Sequence, residues 1–144
     1  MSVVRASDQD GRPARHPGTM TPKQFVAAVK TEVFDPAVGE AALQPRGRRP
    51  HPGLVATWDW YSGLADRDKA LVHQAMRIAA YGSVFGFFAV LDGARVIDDV
   101  PHGELELTYV DPGGSRVQLN MPHIEELHSL WTEQVFPYTE PLPD

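Results

Sequence analysis

The residues of this sequence whose types and spacing are best suited to chemistry are acidic ones. Asp98, Asp99, Glu104 and Glu106 lie close together in the chain. They could converge on a divalent cation, because hard cations take several carboxylate oxygens. However, Glu104 and Glu106 alternate with apolar residues, which is typical of the polar side of a strand. Paired acids for general acid–base catalysis need environments that push their pKa values apart, and an exposed surface does not provide them. We therefore expect a solvated acidic surface, with no catalytic residue, metal site or cofactor.

The charge distribution suggests what such a surface would bind. The formal net charge is −6, but after Leu91 only Arg95 and Arg116 oppose eleven carboxylates, whereas Met1–Leu91 carries 11 basic and 8 acidic residues. This acidic field favours a basic protein partner and disfavours nucleic acid, whose phosphates it repels. We predict that the partner-binding residues are Asp98, Asp99, Glu104, Glu106, Glu125 and Glu126.

Histidines and arginines form two further sets. Apart from His51, four histidines fall in the predicted folded part, without an H-E-x-x-H motif or ligand pair at helical spacing: His73, His102, His123 and His128. We expect surface or capping roles for them. The one basic cluster lies in a proline-rich loop and consists of Arg46, Arg48, Arg49 and His51. A contact with phosphate or nucleic acid is an alternative for this cluster. Because it has no interleaved aromatic residues, we interpret it as a solvated loop.

Length and composition limit the number of domains and the cellular compartment that we expect. The 144 residues match one domain with one core, and the absence of cysteine fits a reducing compartment, so we expect a cytoplasmic protein. The N-terminus lacks the apolar region of a secretory signal. The longest apolar run, Ile78–Leu91, is shorter than the roughly 20 residues of a membrane-spanning helix, so we expect no membrane association.

Three helices are predicted before the strands. Thr21, Pro22 and Gln24 form a capping-box start, and the helix that follows should end before Pro36. A short helix should run through Leu54, Trp58 and Tyr61 to a stop at Gly63, with its aromatic side chains towards the core. The third, capped by Asp66 or Asp68, should continue to Leu91 and end at Gly93.

The third helix raises two questions. Asp92-Gly93 between apolar runs also fits a β-hairpin, but Phe85–Leu91 does not alternate and follows a helical pattern without a breaker, which favours helix. One helical face carries a stripe of small residues, namely Ala75, Ala79, Gly82, Ser83 and Gly86. We expect this stripe to pack against another helix, here the first; a ligand slot over Gly82 and Gly86 is the functional alternative.

The rest of the chain predicts a hairpin and a closing helix. Leu105, Leu107 and Tyr109 alternate with polar residues, Asp111–Gly114 supplies a turn, and a return strand passes through Val117. Two strands are marginal alone, so their apolar face should lie on helices. The last helix should bury one face, formed by Ile124, Leu127, Leu130, Trp131 and Val135.

The order of "SVFGFFAVLDG", "GELELTY", "LN" and "ELHSLW" resembles a loose group of small uncharacterised bacterial proteins, over Asp66 to Trp131. Some proteins of that group are toxin-immunity or accessory proteins. The resemblance implies an immunity-type inhibitor and supplies no catalytic residue.

We therefore expect an α+β fold of three to four helices on a small antiparallel sheet around a long hydrophobic central helix. The single domain should span residues 19–136, between a flexible lead-in at 1–18 and an extended tail at 137–144. The leading function is a non-enzymatic protein-binding module. The alternatives are a small-molecule- or metal-binding domain and a structural subunit or homodimer, the last with an exposed tryptophan among Trp58, Trp60 and Trp131.

Overall fold

A computed structural model of the chain describes residues 19–99, 103–122 and 124–138. The described residues are 55% helical and include a two-stranded antiparallel sheet, which confirms the α+β prediction. The lead-in 1–18 and all but the start of the 137–144 tail lie outside the described residues. The helices are α1 Pro22–Val29, α2 Asp35–Ala37, α3 Pro52–Ser62, α4 Asp66–Leu91 and α5 Leu127–Gln134, and the strands are β1 Thr108–Val110 and β2 Arg116–Gln118.

The first helix begins as predicted, but helical structure continues past Pro36, before which it was expected to end. The Thr21 hydroxyl accepts from the Gln24 backbone N–H, and the Gln24 side chain accepts from Thr21 N–H, which completes the capping box. A π-helical turn, Lys30–Phe34, then joins α1 to α2, so that Pro36 lies within a helical segment. The wider turn changes the hydrogen-bond register, and Pro36 sits near the start of α2, where a missing N–H costs little.

The long helix α4 is the centre of the fold. It continues through Phe85–Leu91, which confirms the helical interpretation over the hairpin, and Gly93 follows with a φ of 72°. Its N-cap is Ala65, without a side-chain hydrogen bond, so the predicted caps Asp66 and Asp68 are wrong. Both carboxylates lie in the first turn instead, where they face the positive end of the helix dipole.

Trp131 on α5 is the anchor of the core. Its side chain is fully buried, and its ring meets Phe34 edge-on at a centroid distance of 5.3 Å and Phe88 at 5.9 Å. Its indole N–H donates to the Tyr81 carbonyl at 3.2 Å. The core thereby joins α1, the π-helical turn, α4 and α5, and its buried members are Val26, Phe34, Phe88, Leu127, Leu130, Trp131 and Val135.

The stripe of small residues on α4 does not pack as predicted. Ala75, Ala79, Gly82 and Ser83 are exposed, and only Gly86 is buried. The bulky stripe faces the core instead, where Phe88 is buried and Tyr81, Val84 and Phe85 pack against it. The expected contact of the small residues with the first helix is therefore wrong.

The strand and helix near the C-terminus are shorter than their patterns suggested. Tyr109 pairs with Val117 in the hairpin, but Gly103–Leu107 precedes β1 without forming part of the strand. Ile124 lies outside α5 and is 69% exposed, so its predicted place on the buried face is wrong. The other four predicted residues of that face are buried.

Helix α3 is attached to α4 by an aromatic contact. Tyr61 is buried, its ring stacks on that of His73, and its hydroxyl lies 2.8 Å from His73 Nε2. Burial raises the pKa of Tyr61 above its ordinary value of 10.0, and the nearby Glu40 carboxylate raises it further. Trp58 is half-buried and Trp60 is exposed, so the aromatic residues of α3 face the core only in part.

We expect Trp131→Ala to lower the free energy of unfolding by about 3–5 kcal/mol, because it removes a fully buried ring and leaves a cavity among three helices. Urea denaturation followed by circular dichroism measures this loss. Trp60→Ala is the matched control, since Trp60 is 57% exposed and its removal should cost less than about 1 kcal/mol. Equal losses for the two variants would contradict the core assignment.

We also expect stability to fall as pH rises above about 10. The pKa of Tyr61 is raised in the folded chain, so the unfolded chain loses that proton first and is favoured at high pH. Denaturation at pH 8 to 11 should show a shallower decline for Tyr61→Phe than for the wild type. Trp60→Phe, which removes no ionisable group at a position that is 57% exposed, should leave the decline unchanged. An unchanged slope for Tyr61→Phe would refute the expectation.

Candidate functional site

A cleft of about 590 Å³ lies beside the C-terminal end of α4. Its walls come from that helix end, the connection to the hairpin, the end of β2 and the approach to α5. Among the lining residues are three carboxylates from the predicted acidic surface, Asp98, Glu104 and Glu126. Arg95 and Asn120 contribute the other polar groups used below.

Asn120 joins three segments at the base of the cleft. The residue is 2% exposed, and its amide nitrogen donates to the carbonyls of Leu91 at 2.5 Å and Leu105 at 2.7 Å. Its amide oxygen accepts from Leu107 N–H at 2.7 Å. A buried amide satisfied in this way ties the end of α4 and the segment before β1 to the end of β2. Asn120 is therefore a structural residue of the cleft.

A second polar contact joins α4 to α5. Oδ2 of Asp92 accepts from the backbone N–H of His128 at 2.9 Å and lies 2.7 Å from its Nδ1. The Asp92 side chain is only 3% exposed. Because α5 has no side-chain cap of its own at Glu126, Asp92 supplies the missing acceptor from the end of α4.

His128 is enclosed by carboxylates on both sides. Its Nε2 lies 3.5 Å from Oε2 of Glu126, and the Phe85 ring meets the imidazole edge-on. Asp92 and Glu126 line the cleft, but His128 is absent from the lining that the described residues form. The contacts on both ring nitrogens give His128 a linking role between helices.

Arg95 lies across α4 at a glycine. Its backbone N–H donates to the Ala89 carbonyl, and Nη1 comes within 2.8 Å of the position that a Cβ would occupy on Gly86. The lack of a side chain at Gly86 is what allows the guanidinium to rest there. The proposed ligand slot over Gly82 and Gly86 is thus occupied at Gly86 by the protein itself.

Apolar side chains also border the cleft. Val96 and Ile97 are 67% and 66% exposed, and Leu105 is 48% exposed. All three line the same cleft as the carboxylates. Exposed apolar residues grouped beside charged ones are a feature of interaction surfaces.

The structure separates the six predicted binding residues. Asp98, Glu104 and Glu126 line the cleft, whereas Glu125 lines a smaller depression of about 190 Å³ between the start of α1 and β2. Asp99 and Glu106 are exposed and belong to neither lining. Three of the six residues are therefore brought together at one place.

The histidine and arginine sets are placed as follows. His73 and His128 are half-buried partners of Tyr61 and Asp92, rather than surface residues, while His102 and His123 lie outside the described residues. The arginine loop is exposed, and His51 of that loop caps α3 by accepting from Gly53 N–H.

Sequence reasoning missed the residues that hold the cleft together. In the sequence, Asn120 and Asp92 stand out only as parts of short motifs. Asparagine after an apolar strand residue and aspartate at a helix end are nevertheless ordinary hydrogen-bonding positions. Their partners are 13 to 36 positions distant, so spacing alone carried no signal for them.

Within the part of the chain that the structure describes, no group of three or more His, Cys, Asp and Glu residues is placed to hold a metal ion. Comparisons of the chain with protein-family models, curated proteins and solved structures find no match. The geometry of the cleft is therefore the basis for assigning a function.

We expect Asn120→Ala to lower the free energy of unfolding by about 2–4 kcal/mol, because it leaves the Leu107 N–H and two carbonyls without partners. Urea denaturation measures the loss, and hydrogen exchange should show reduced protection of the Leu107 amide. Gln118→Ala, at a half-buried position of the same cleft, should cost less than about 1 kcal/mol. Unchanged protection at Leu107 would disprove the role of Asn120.

Proposed function

We propose that this chain is a non-enzymatic protein-binding module whose cleft receives a basic segment of a partner protein. The observation that carries the proposal is the meeting of Asp98, Glu104 and Glu126 in one cleft beside exposed Val96 and Ile97. Lysine and arginine side chains match this combination, because their apolar stems lie along apolar surface while their charged ends reach carboxylates.

Charge supports the same assignment. Beyond Leu91 the chain carries eleven carboxylates against two arginines, so its field attracts a positively charged partner before contact is made. Complementary charge raises the association rate and selects against acidic partners. Arg95 adds one positive charge to the cleft, where it can orient carbonyl or carboxylate groups of the bound segment.

The biological form of this proposal is an immunity-type inhibitor of a basic toxin in the cytoplasm. It rests on the resemblance over Asp66 to Trp131 and on the acidic cleft. An inhibitor of this kind needs binding energy and selectivity, which a cleft with both charged and apolar groups supplies without chemistry of its own.

Isothermal titration with amidated hexa-arginine peptide at low salt tests the cleft directly. We expect wild type to bind, and Asp98→Lys/Glu104→Lys to bind at least about tenfold more weakly, because two attractive charges become repulsive. Glu32→Lys/Glu133→Lys is the matched control: both residues are exposed, neither lines the cleft, and the net charge changes equally. The control should retain wild-type affinity within about twofold.

Two results would oppose the proposal. Equal weakening of both variants would show that the peptide responds only to net charge. No binding to wild type at low salt would remove the basic segment as an occupant of the cleft.

A small cationic molecule is the second candidate, and the volume of the cleft favours it. About 590 Å³ falls within the range of roughly 300–1,000 Å³ typical of small-molecule pockets. Titration with spermidine and with arginine amide separates the two candidates. Binding of either compound more tightly than hexa-arginine, with loss in Asp98→Lys/Glu104→Lys, would favour a small ligand over a protein segment.

A further inference from the structure

One side of α4 presents an apolar row to solvent, away from the cleft. The row consists of Leu71, Ala75, Ile78 and Gly82, all exposed, with Leu71 at 50% and Ile78 at 45%. At 100° per residue these four positions fall within a narrow strip along the helix. We call this strip the α4 seam. By length and composition, α4 is apolar enough to cross a membrane. Only 17% of its most apolar stretch of 18 residues is buried inside the protein.

The order of side-chain sizes along the seam is informative. Leu71 and Ile78 are large, whereas Ala75 and Gly82 are small, and the spacings of four, three and four residues are the same read in either direction. In an antiparallel pair of these helices, Leu71 of each copy lies opposite Gly82 of the other, and Ile78 lies opposite Ala75. Every large side chain then meets a small one, as close helix packing requires.

The parallel arrangement lacks this match. In a parallel pair in register, Leu71 would face Leu71 and Gly82 would face Gly82. The two leucines would then be overpacked, and a void would remain between the two glycines. Nothing lies within 4 Å of a Cβ built on Gly82, so the notch that Leu71 would fill is open. The hydroxyl of nearby Ser83 donates to Ala79 O within the same helix. Burying it in a contact would therefore leave no polar group without a hydrogen-bond partner.

Charge also fits a second copy of this chain better than a lipid surface. An antiparallel pair places the positive end of each helix dipole beside the negative end of the other. Helices that lie on anionic membranes carry lysine and arginine along their polar face. The first turn of α4 instead balances Asp66 and Asp68 against Arg67 and Lys69, and the whole chain is acidic.

We propose that two copies of this chain associate through the α4 seam as an antiparallel, two-fold symmetric helix pair. The seam spans about 17 Å along the helix and is about 10 Å wide, which is a footprint of under roughly 200 Å². Stable interfaces cover about 800 Å² per partner, so the dimer should dissociate on dilution. The proposal is independent of the cleft and of what the cleft binds.

Sedimentation equilibrium across micromolar to millimolar concentrations tests the association. Wild type should show a rising fraction of dimer, and Ala75→Glu should weaken association at least about tenfold by placing a charge in the apolar contact. Ala28→Glu on α1 is the matched control, because Ala28 is also an exposed helical alanine, and it should associate like wild type.

Gly82→Leu separates loss of the contact from loss of the fold. Leucine fills the notch for Leu71, so dimerisation should weaken by about tenfold or more. The same change replaces an exposed helical glycine with a strong helix former, so the melting temperature of the dilute monomer should rise. Weaker association with a higher melting temperature is a result that misfolding would not produce.

Because the chain has no cysteine, single-cysteine variants report the orientation. A mixture of Leu71→Cys and a tagged Gly82→Cys should be joined by a short bismaleimide cross-linker as the mixed dimer. Leu71→Cys alone should cross-link no faster than Ala28→Cys, since its two copies would lie about 16 Å apart along the pair.

Three outcomes would overturn the proposal. The first is a monomer at every concentration, and the second is preferential Leu71–Leu71 cross-linking, which indicates a parallel pair. The third is binding of wild type, but not Ala75→Glu, to phosphatidylcholine vesicles without dimerisation, which would assign the seam to lipid.

Discussion

The buried amide of Asn120 is the constraint on which the cleft and the segments around it depend. A polar group at 2% exposure must have all its hydrogen-bonding positions filled, and here the partners are carbonyls of Leu91 and Leu105 and the N–H of Leu107. The hairpin has only three residues in each strand, too few to position the preceding segment alone. One side chain therefore fixes the segment before β1, which forms one wall of the cleft, relative to α4.

Local patterns explain why much of the fold could be predicted. The capping box at Thr21, the turn before Ser115 and the helical course of Phe85–Leu91 each depend on neighbouring residues. The prediction for the small-residue stripe was wrong because the core forms on the bulky face of α4, where Phe88 is buried and Tyr81 and Phe85 pack against it. Helix α4 has 26 residues, about 39 Å, whereas α1 and α5 have eight each, about 12 Å. Short helices cannot cover a long one, so part of an apolar helix stays exposed.

The candidate site was predictable in charge and unpredictable in geometry. Counting carboxylates identified an acidic segment, but bringing Glu126 beside Asp98 requires the return of the chain through the hairpin and the Asp92–His128 contact. Contacts of that kind join residues 36 positions apart, and no periodicity encodes them. Proximity in sequence does not predict the cleft either, because Asp99 and Glu106 lie within two positions of cleft carboxylates and are not part of its lining.

The contact between Arg95 and Gly86 makes the electrostatics of the cleft adjustable from a distance. A methyl group at position 86 would meet the guanidinium at 2.8 Å and push this flexible side chain off the helix. Because Arg95 lines the cleft together with Asp98, Glu104 and Glu126, its displacement would change the charge distribution there. A helix glycine outside the lining thus influences the electrostatics of the cleft through the position of one arginine.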